Sequence, residues 1–328
     1  MGDESISNRK RVTNPVPAEG ADGLFTQSWF PMAWSSDVPK GKIIGRDFLD
    51  GRIVMWRGEN GRLTVASAYC CHVGADLAVG DVIGDNVRCA FHHWQYDQDA
   101  RCVKTGLGVA PPKDACLFLF PSIERYGIVW VFNGEKPLFD LIEAPFPEEE
   151  LEVGIAYEAQ MIPIDPWVFA ANTPDMQHIK VVHKVNFDHA DPHSQVKWDK
   201  YGFSYGYSGL DQGGVRTEYN LGIQGTSVFF RFGTYEGFWR GSVAGFGLPK
   251  PGWLVMYSVN LVKKGPKAKE QLETATWLSR RTLSEDKPIM DTLRYRPGYL
   301  IGGDQSLSRY LTLVRNFPRA HPSRDFIR

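Results

Sequence analysis

The sequence predicts an α+β protein, in which a β-rich first part precedes a curved antiparallel sheet with helices packed on it. Short β-rich runs separated by Gly, Asn and Asp fill the chain from residue 28 to residue 133. The segment EKPLFDLIEAPFPEEE, rich in proline and acidic residues, then interrupts this pattern near residue 140. Longer β-rich stretches and a long helical pattern follow it. We therefore expect two domains, at 23–140 and 141–328, after a polar tail at 1–22.

Three signals define the strands of the first part. RIVMWR and RLTVASAY are β-rich runs joined by residues 58–61, GENG, which predict a hairpin. GDVIGDNVRC predicts a second hairpin that turns at residues 84–86. GIVWVFNG, residues 127–134, predicts the last strand before the boundary.

The second part opens with a predicted helix around residues 174–185. Long antiparallel strands are expected next, in SVFFRFGTYEGFWRG and WLVMYSVNLV. A helix from about Lys267 to Arg294 closes the pattern.

The composition is that of an ordinary globular protein and limits the classes of partner. The 328 residues carry a net charge of -1, with 43% hydrophobic and 23% charged residues. This balance argues against nucleic-acid binding, and no apolar run approaches the roughly 18 residues of a membrane span. The polar start lacks the apolar core of a secretory signal, so we expect a cytoplasmic protein. Five Cys, an odd and small number, argue against a disulfide framework.

A first group of candidate ligands is Cys70, His72, Cys89 and His92, in the pattern C-x-H, sixteen residues, C-x-x-H. Each pair follows a β-rich run, so two loops can meet around an inorganic centre. One option is a tetrahedral zinc ion with two Cys and two His ligands. The other is a [2Fe-2S] cluster with both Cys on one iron and both His on the other. Zinc fingers group their two Cys and then their two His, so this spacing favours the cluster.

A second group lies in ANTPDMQHIKVVHKVNF, with Asp175, His178 and His183. His178 and His183 are five residues apart, which is about 140° on an ideal helix. Their imidazoles converge only if the helix contains a π-bulge or ends between them. Alone, this spacing is more typical of two ordinary histidines.

A third ligand can come from the last helix. Asp286 shares a helix face with the apolar residues Leu283, Ile289, Met290 and Leu293. A carboxylate in an apolar stripe needs a cation or strong hydrogen bonds. Two His and one carboxylate are the ligands of mononuclear ferrous sites that bind O2.

Both motifs resemble those of the Rieske non-haem iron oxygenases, in particular the vanillate O-demethylase, dicamba monooxygenase and ketosteroid 9α-hydroxylase groups. Their second cluster loop reads C-P-x-H-G-W-x-[FY], whereas this chain has CAFHHWQY. Ala90 and His93 therefore replace the usual Pro and Gly, and Cys71 stands where Arg or Pro is more common. The second motif, D-N-x-x-D-x-x-H-x4-H and a later E-D, matches ANTPDMQHIKVVH and SEDKPIMD, with Ala171 in place of the first acid.

The resemblance implies a fold and a set of ligands. The fold would be an N-terminal all-β Rieske [2Fe-2S] domain and a helix-grip (START-like) catalytic domain with a long C-terminal helix. The cluster ligands would be Cys70, His72, Cys89 and His92, and the ligands of a mononuclear Fe(II) would be His178, His183 and Asp286. Asp175 would have the catalytic role of a bridging carboxylate, which joins His92 of one subunit to His178 of the next in a head-to-tail homotrimer.

The resemblance also implies a function, the terminal oxygenase component of a multicomponent monooxygenase. It would use O2 and electrons from NAD(P)H, delivered by a separate reductase and in some systems a ferredoxin, to hydroxylate or demethylate an organic substrate. The aromatic and glycine-rich second part suits a hydrophobic, aromatic or steroid-like substrate. Alternatives are the α subunit of a cis-dihydroxylating dioxygenase, a Rieske electron-transfer module with a binding domain, and a zinc-stabilised ligand-binding protein.

Overall fold

The computed structural model describes residues 15–328, and its first part consists of short antiparallel strands. These strands are β1 (Phe25–Thr26), β2 (Trp29–Trp34), β3 (Ile43–Phe48), β4 (Gly51–Arg57), β5 (Leu63–Ser67), β6 (Asp81–Ile83), β7 (Asn86–Arg88), β8 (Gln95–Tyr96), β9 (Cys102–Lys104), β10 (Ser122–Arg125) and β11 (Ile128–Phe132). Strands β2 to β11 form three small sheets, in the orders β3-β4-β5, β6-β7-β8-β9 and β10-β11-β2, whereas β1 pairs with Arg319–Ala320 near the C-terminus. The two predicted hairpins, now β4-β5 and β6-β7, and the predicted last strand, β11, are confirmed.

The second part contains one large antiparallel sheet and several helices. Its elements are β12 (Leu151–Ile162), α1 (Pro166–Ala170), α2 (Met176–Val181), β13 (Asn186–Phe187), β14 (Val196–Trp198), β15 (Gly202–Leu210), β16 (Arg216–Gln224), β17 (Val228–Tyr235), β18 (Phe238–Lys250), β19 (Trp253–Lys263), α3 (Ala268–Met290), α4 (Gln305–Arg315), β20 (Arg319–Ala320) and α5 (Arg324–Ile327). The strand order is β12-β19-β18-β17-β16-β15-β13, with β14 beside β15. Irregular register in β12 and near the end of β18 bends the sheet. The α+β prediction is confirmed.

One face of the large sheet packs on the first part. Val243 of β18 and Phe230 of β17 share a buried apolar cluster with Trp130 of β11. A side chain at Gly245 would place its Cβ 2.5 Å from the Trp130 ring, so only glycine allows β18 to approach this closely. The Ser28 hydroxyl also lies 2.7 Å from that of Ser227. The sheet therefore has its other face available for a cavity.

That other face carries α3, which packs on β12 and β19. Side chains alternate along each strand, so Arg240, Ser242 and Ala244 of β18 point to the helix side while Val243 points to the first part. The space between this face, α2 and α3 is a cavity of about 180 Å³.

Three elements differ from the sequence predictions. SVFFRFGTYEGFWRG forms two strands, β17 and β18, because the chain turns at Glu236 and Gly237, both with positive φ. The helix predicted at residues 174–185 is shorter in the structure, where α2 begins at Met176 and ends at Val181. The long helix α3 ends at Met290, and a further helix, α4, follows.

Part of the predicted polar tail at 1–22 can be described. Residues 1–14 lie outside the described residues. Val16 and Glu19 are buried, at 7% and 1% exposure, because Val16 joins the apolar core of the second part and Glu19 is held by hydrogen bonds. The Thr26 N–H and hydroxyl donate to the Glu19 carboxylate at 2.9 and 2.8 Å.

None of the helices within residues 15–328 combines the length and the apolarity that a membrane span requires.

The burial of Glu19 predicts a pH dependence of stability. Burial raises the pKa of Glu19 from 4.5 to about 7, although the Arg319 guanidinium opposes the shift. Between these values the folded protein keeps a proton that the unfolded chain has lost, so stability present below about pH 4.5 is lost as the pH rises through 7. The loss is at most about 3 kcal/mol.

Urea unfolding of the wild type and of Glu19→Gln, at about pH 5 and about pH 8, measures this loss. We expect the free energy of unfolding to fall more steeply with pH in the wild type than in the variant. Parallel pH profiles would contradict the prediction.

Candidate cluster loops and metal centre

Two loops of the same backbone shape, 70–75 and 89–94, carry the first group of candidate ligands. In each loop the N–H of the cysteine donates to the carbonyl five residues later, at 2.9 Å for Cys70 and 2.8 Å for Cys89. In each loop the cysteine carbonyl also accepts from the N–H four residues later, at 2.9 and 3.1 Å. The sequence thus repeats one tight turn and places one candidate thiol ligand and one candidate imidazole ligand on each copy.

The loops separate the ligand types by burial. Cys70 and Cys89 are buried, at 3% and 1% exposure, and their thiols interact with each other. His72 and His92 are exposed, with ring centroids 4.7 Å apart. Trp94 stacks on the His72 ring at 4.5 Å. The four predicted residues therefore come together, with two thiols inside and two imidazoles at the surface.

Tyr96 supports this group, a role the sequence did not reveal. Its hydroxyl lies 3.0 Å from Sγ of Cys70 and 3.3 Å from Sγ of Cys71, and it accepts the Cys71 N–H at 3.1 Å. Burial raises the pKa of Tyr96, and the neighbouring Cys70 thiol raises it further, so the phenol keeps its proton. Hydrogen bonds to ligating sulfur atoms are among the factors that set the potential of an iron–sulfur cluster.

His93 occupies a strained backbone position. Its φ is +56°, in the left-handed region, and the matching residue of the other loop is Gly74 with φ +83°. A residue with a Cβ is disfavoured by about 1 kcal/mol or more in this region. The geometry of the turn is thus kept, although His93 replaces glycine.

The second group of candidate ligands lies at the end of α2. Asp175 caps the helix, since its Oδ1 accepts the His178 N–H at 2.9 Å. The helix ends at Val181, between His178 and His183. The chain therefore turns after His178, and the two Nε2 atoms lie 3.1 Å apart. Of the two geometries that the spacing allowed, the structure has the second, a helix that ends between the histidines.

Asp286 of α3 completes this group. It is 6% exposed, and its Oδ1 lies 3.1 Å from Nε2 of His178 and 3.3 Å from Nε2 of His183. Burial alone would raise the pKa of Asp286, but the two imidazoles outweigh it and lower the pKa. The predicted apolar stripe is confirmed at Leu283 and Met290, which are buried, whereas Ile289 is 42% exposed.

The three donor atoms fit a metal ion. Within the described residues, His178, His183 and Asp286 form a group able to hold one. Adjacent ligands at right angles, with bonds of about 2.1 Å, lie about 3.0 Å apart, close to the observed separations. Oδ1 of Asp286 is buried without a hydrogen bond of acceptable geometry, as expected of an atom reserved for a cation.

Glu285 contacts one of the candidate ligands, His183, and the sequence did not indicate this contact. Its Oε2 lies 2.7 Å from Nδ1 of His183, and its Oε1 accepts from Gln212 at 2.9 Å. Burial acts to lower the pKa of His183, but Asp286 and Glu285 outweigh burial and raise it. A carboxylate on Nδ1 holds that atom as the N–H and leaves the Nε2 lone pair for a metal. The sequence shows Glu285 as the first acid of the E-D pair in SEDKPIMD but gives no sign that His183 lies beside it.

The chain is similar to known proteins in two ways. Residues 28–111 match the family model of the Rieske [2Fe-2S] domain. Aminopyrrolnitrin oxygenase PrnD of Pseudomonas fluorescens is 29% identical over 195 residues, which cover 56% of this chain and 53% of that protein. Cholesterol 7-desaturase nvd of Bombyx mori is 27% identical over 168 residues, which cover 48% of this chain and 36% of that protein. The chain thus spans about half the length of these relatives or less.

A solved structure extends the likeness to most of the chain. Dicamba monooxygenase with bound dicamba superimposes with a TM-score of 0.69 at 14% identity, covering 88% of this chain and 97% of that one. At this identity the likeness shows a shared fold. Together with the matched domain, it confirms the resemblance to Rieske non-haem iron oxygenases that the two motifs indicated.

Two substitutions at position 93 test the backbone strain. His93→Gly and His93→Ala both remove the imidazole, but only glycine is unstrained at φ +56°. We expect the Gly variant to be more stable than the Ala variant by roughly 1 kcal/mol. At ordinary backbone angles the order would be the reverse, with alanine better by about 0.5–1 kcal/mol. Chemical unfolding of both variants decides between the two orders.

The neighbouring carboxylates Glu285 and Asp286 should respond differently to loss of charge. Asp286→Asn should abolish tight Fe(II) binding at the second site, because the residue supplies a ligand atom. Glu285→Gln should weaken binding by roughly ten- to a hundredfold, as expected of a residue that orients a ligand. Anaerobic titration with Fe(II), followed by calorimetry, measures the Fe(II) affinity of both variants. If Glu285→Gln lost more Fe(II) affinity than Asp286→Asn, Glu285 would be assigned as the ligand in place of Asp286.

Proposed function

We propose that this protein, whose residues 28–111 are a Rieske [2Fe-2S] domain in a chain with the fold of a Rieske oxygenase, is the terminal oxygenase component of a multicomponent monooxygenase. The observation that carries the proposal is the convergence of His178, His183 and Asp286 beside a cavity. A Rieske electron-transfer module with a binding domain would not need this second metal centre. The relatives include proteins named as oxygenases, which supports the same class of reaction.

In this proposal each of the two predicted domains holds one of the two cofactors. Residues 23–140 would carry the cluster, through Cys70, His72, Cys89 and His92. Residues 141–328 would carry the mononuclear Fe(II) through His178, His183 and Asp286. When bound, the cluster supplies single electrons and the ferrous ion supplies reactivity toward O2.

The side chains around the second centre have separate tasks in this proposal. Asp286 supplies the negative charge that a divalent ion needs in a buried site. Glu285 holds the His183 ring in one tautomer and one orientation. Asn172 lines the cavity beside the histidines, and apolar residues such as Phe246 and Leu283 exclude water from it.

Asp175 is proposed as the bridging carboxylate of a homotrimer, between His92 of one subunit and His178 of the next. Its Oδ1 already accepts the His178 N–H as the cap of α2, so its carboxylate is fixed beside this histidine. A bridging carboxylate would set the tautomers of both imidazoles. The trimer and the bridge come from the family resemblance.

The proposed partners are O2, an organic substrate and an NAD(P)H-dependent reductase, with a ferredoxin as a further carrier in some systems. The sequence shows no flavin or nucleotide motif, which is why we place the reductase on another chain. The apolar cavity favours a substrate with an aromatic or steroid-like skeleton. The cytoplasmic location predicted from the sequence is retained as part of the proposal.

A single-turnover experiment tests the proposal. Chemically reduced protein is mixed with O2 and a panel of steroids, methoxybenzoates and N-methyl compounds, and products are read by mass. We expect the gain of one oxygen atom, or demethylation with release of formaldehyde. A gain of two oxygen atoms as a cis-diol would instead indicate the dioxygenase, and no product from an iron-loaded protein across the panel would count against both.

A matched pair of Asp175 variants tests the bridge in the same assay. Asparagine caps helices as well as aspartate but carries no charge, whereas alanine loses the cap, which costs about 1 kcal/mol. Asp175→Asn and Asp175→Ala should both keep their metals and both reoxidise the reduced cluster at least about tenfold more slowly than the wild type. Normal reoxidation in Asp175→Asn would remove the bridging role and leave Asp175 as a helix cap.

A further inference from the structure

Two arginines lie on the sheet face of the same cavity, away from its metal-binding end. Arg231 of β17 and Arg240 of β18 both line the cavity. Arg240 is 1% exposed, and Arg231 is half-buried. Strand register places Arg231 opposite Ser242, two residues from Arg240, so both guanidinium groups reach the Ser242 hydroxyl. Their Nη2 atoms lie 3.5 and 3.0 Å from its Oγ.

Neither arginine has an acidic partner among the described residues. No ion pair of residues 15–328 includes Arg231 or Arg240. A third arginine of the cavity, Arg281, differs, because it pairs with Asp211 at 3.4 Å. Among the described residues, two positive charges therefore line one cavity without an acidic group in ion-pair contact, although charges taken out of water normally require such a partner.

The neutral groups around Arg240 do not provide enough hydrogen-bond acceptors for its guanidinium. Its Nη2 lies 3.0 Å from Ser242, 3.4 Å from Asn260 and 3.5 Å from Ser279. Oδ1 of Asn260 already accepts both serine hydroxyls at 2.9 Å, which uses its two lone pairs. The Nε atoms of Arg231 and Arg240 are buried and have no hydrogen-bond partner.

The ring of Tyr219 lies beside both guanidinium groups, 5.1 Å from Arg231 and 6.0 Å from Arg240. An aromatic face attracts a cation, and the Tyr219 side chain also accepts a hydrogen bond from Arg240, but neither supplies the negative charge that a guanidinium pairs with in an oxyanion. Burial, together with the charge of Arg231, lowers the pKa of Arg240 to about 10, so the group stays charged at neutral pH. Both arginines thus keep N–H donors that need an acceptor.

We infer that Arg231 and Arg240 bind an anionic oxygen group, a carboxylate or a sulfonate, on the substrate. The inference rests on the proposed function and names the substrate class of that site. Guanidinium groups are the side chains best suited to such groups, through paired N–H donors. The ligand that fits the whole cavity is an aromatic or alicyclic acid, whose apolar skeleton contacts the ring-lined walls.

The fold also sets the length of this acid. Ser279, beside Arg240, and Asp286 lie on the same helix, seven residues apart. Seven residues of α-helix span about 10 Å. The acid group and the reacting carbon should therefore lie at most about 10 Å apart, which admits acids of up to about two rings.

Binding of three matched probes to the purified holoprotein tests the inference. The probes are biphenyl-4-carboxylate, biphenyl-4-sulfonate and the methyl ester of the carboxylate, and calorimetry gives each Kd. We expect at least one of the two anions to bind roughly tenfold or more tightly than the ester. The two anions separate a carboxylate site from a sulfonate site. Equal binding of ester and anions, or no binding of either anion, overturns the inference.

Variants identify the groups responsible. Arg231→Met and Arg240→Met should each weaken anion binding by roughly tenfold or more and leave ester binding unchanged. Arg280→Met is the control, because Arg280 lies on α3 outside this cavity and donates to the Ala156 carbonyl at 3.0 Å. If an anion were held by the metal ion instead, both cavity variants would bind it normally, and that result would also overturn the inference.

The test is independent of turnover. A protein that binds the acids through both arginines, but gives no product with them or with the panel of the single-turnover experiment, keeps the anion site and refutes the proposed function. A protein that oxygenates a neutral substrate, and binds acid and ester alike, keeps the proposed function and refutes the anion site.

Discussion

A single buried carboxylate oxygen, Oδ1 of Asp286, is the atom on which the second half of this structure depends. It lies within 3.3 Å of both imidazoles, and it joins α3 to the end of α2 across the mouth of the cavity. In an apolar environment such an oxygen requires positive charge or strong donors. A metal ion held by His178, His183 and Asp286 would satisfy this requirement and would join the end of α2 to α3. The same atom therefore links the stability of the domain to its proposed chemistry.

The large sheet makes this arrangement possible because its two faces differ. One face approaches the first part so closely that Gly245 must lack a side chain beside Trp130. The opposite face is left to bend around α3 and enclose the cavity. That cavity is asymmetric, with the imidazoles and carboxylates at one end and the guanidinium groups of Arg231 and Arg240 on the sheet. A substrate bound between them would be oriented by charge at one end and would present the other end to the metal.

Local patterns were sufficient to predict much of the site. The spacing of Cys and His identified the two loops, and a single acid in an apolar stripe identified Asp286. The five-residue spacing of His178 and His183 could only state the condition for convergence, and the early end of α2 meets it. Residues whose roles depend on tertiary packing were missed. Glu285 is within reach of His183 only because α2 and the end of α3 share one apolar core, to which Ile179 and Met290 belong.

The arginine pair could not be predicted from the sequence either, because it also depends on tertiary packing. Arg231 and Arg240 lie on different strands, and only the register of β17 with β18 brings their guanidinium groups to one serine. The turn between these strands has a local signal in the sequence, the dipeptide Glu236-Gly237, although SVFFRFGTYEGFWRG was predicted as one long strand. Recognising that turn would have placed the two arginines on the same face of a hairpin.

The most direct measurement of the central claim is the ratio of iron to acid-labile sulfide in the purified protein, together with its zinc content. Two metal centres of the proposed kinds require roughly three irons for every two sulfides. This account predicts that ratio in the wild type. A ratio of roughly one iron per sulfide, or zinc in place of iron, would contradict it.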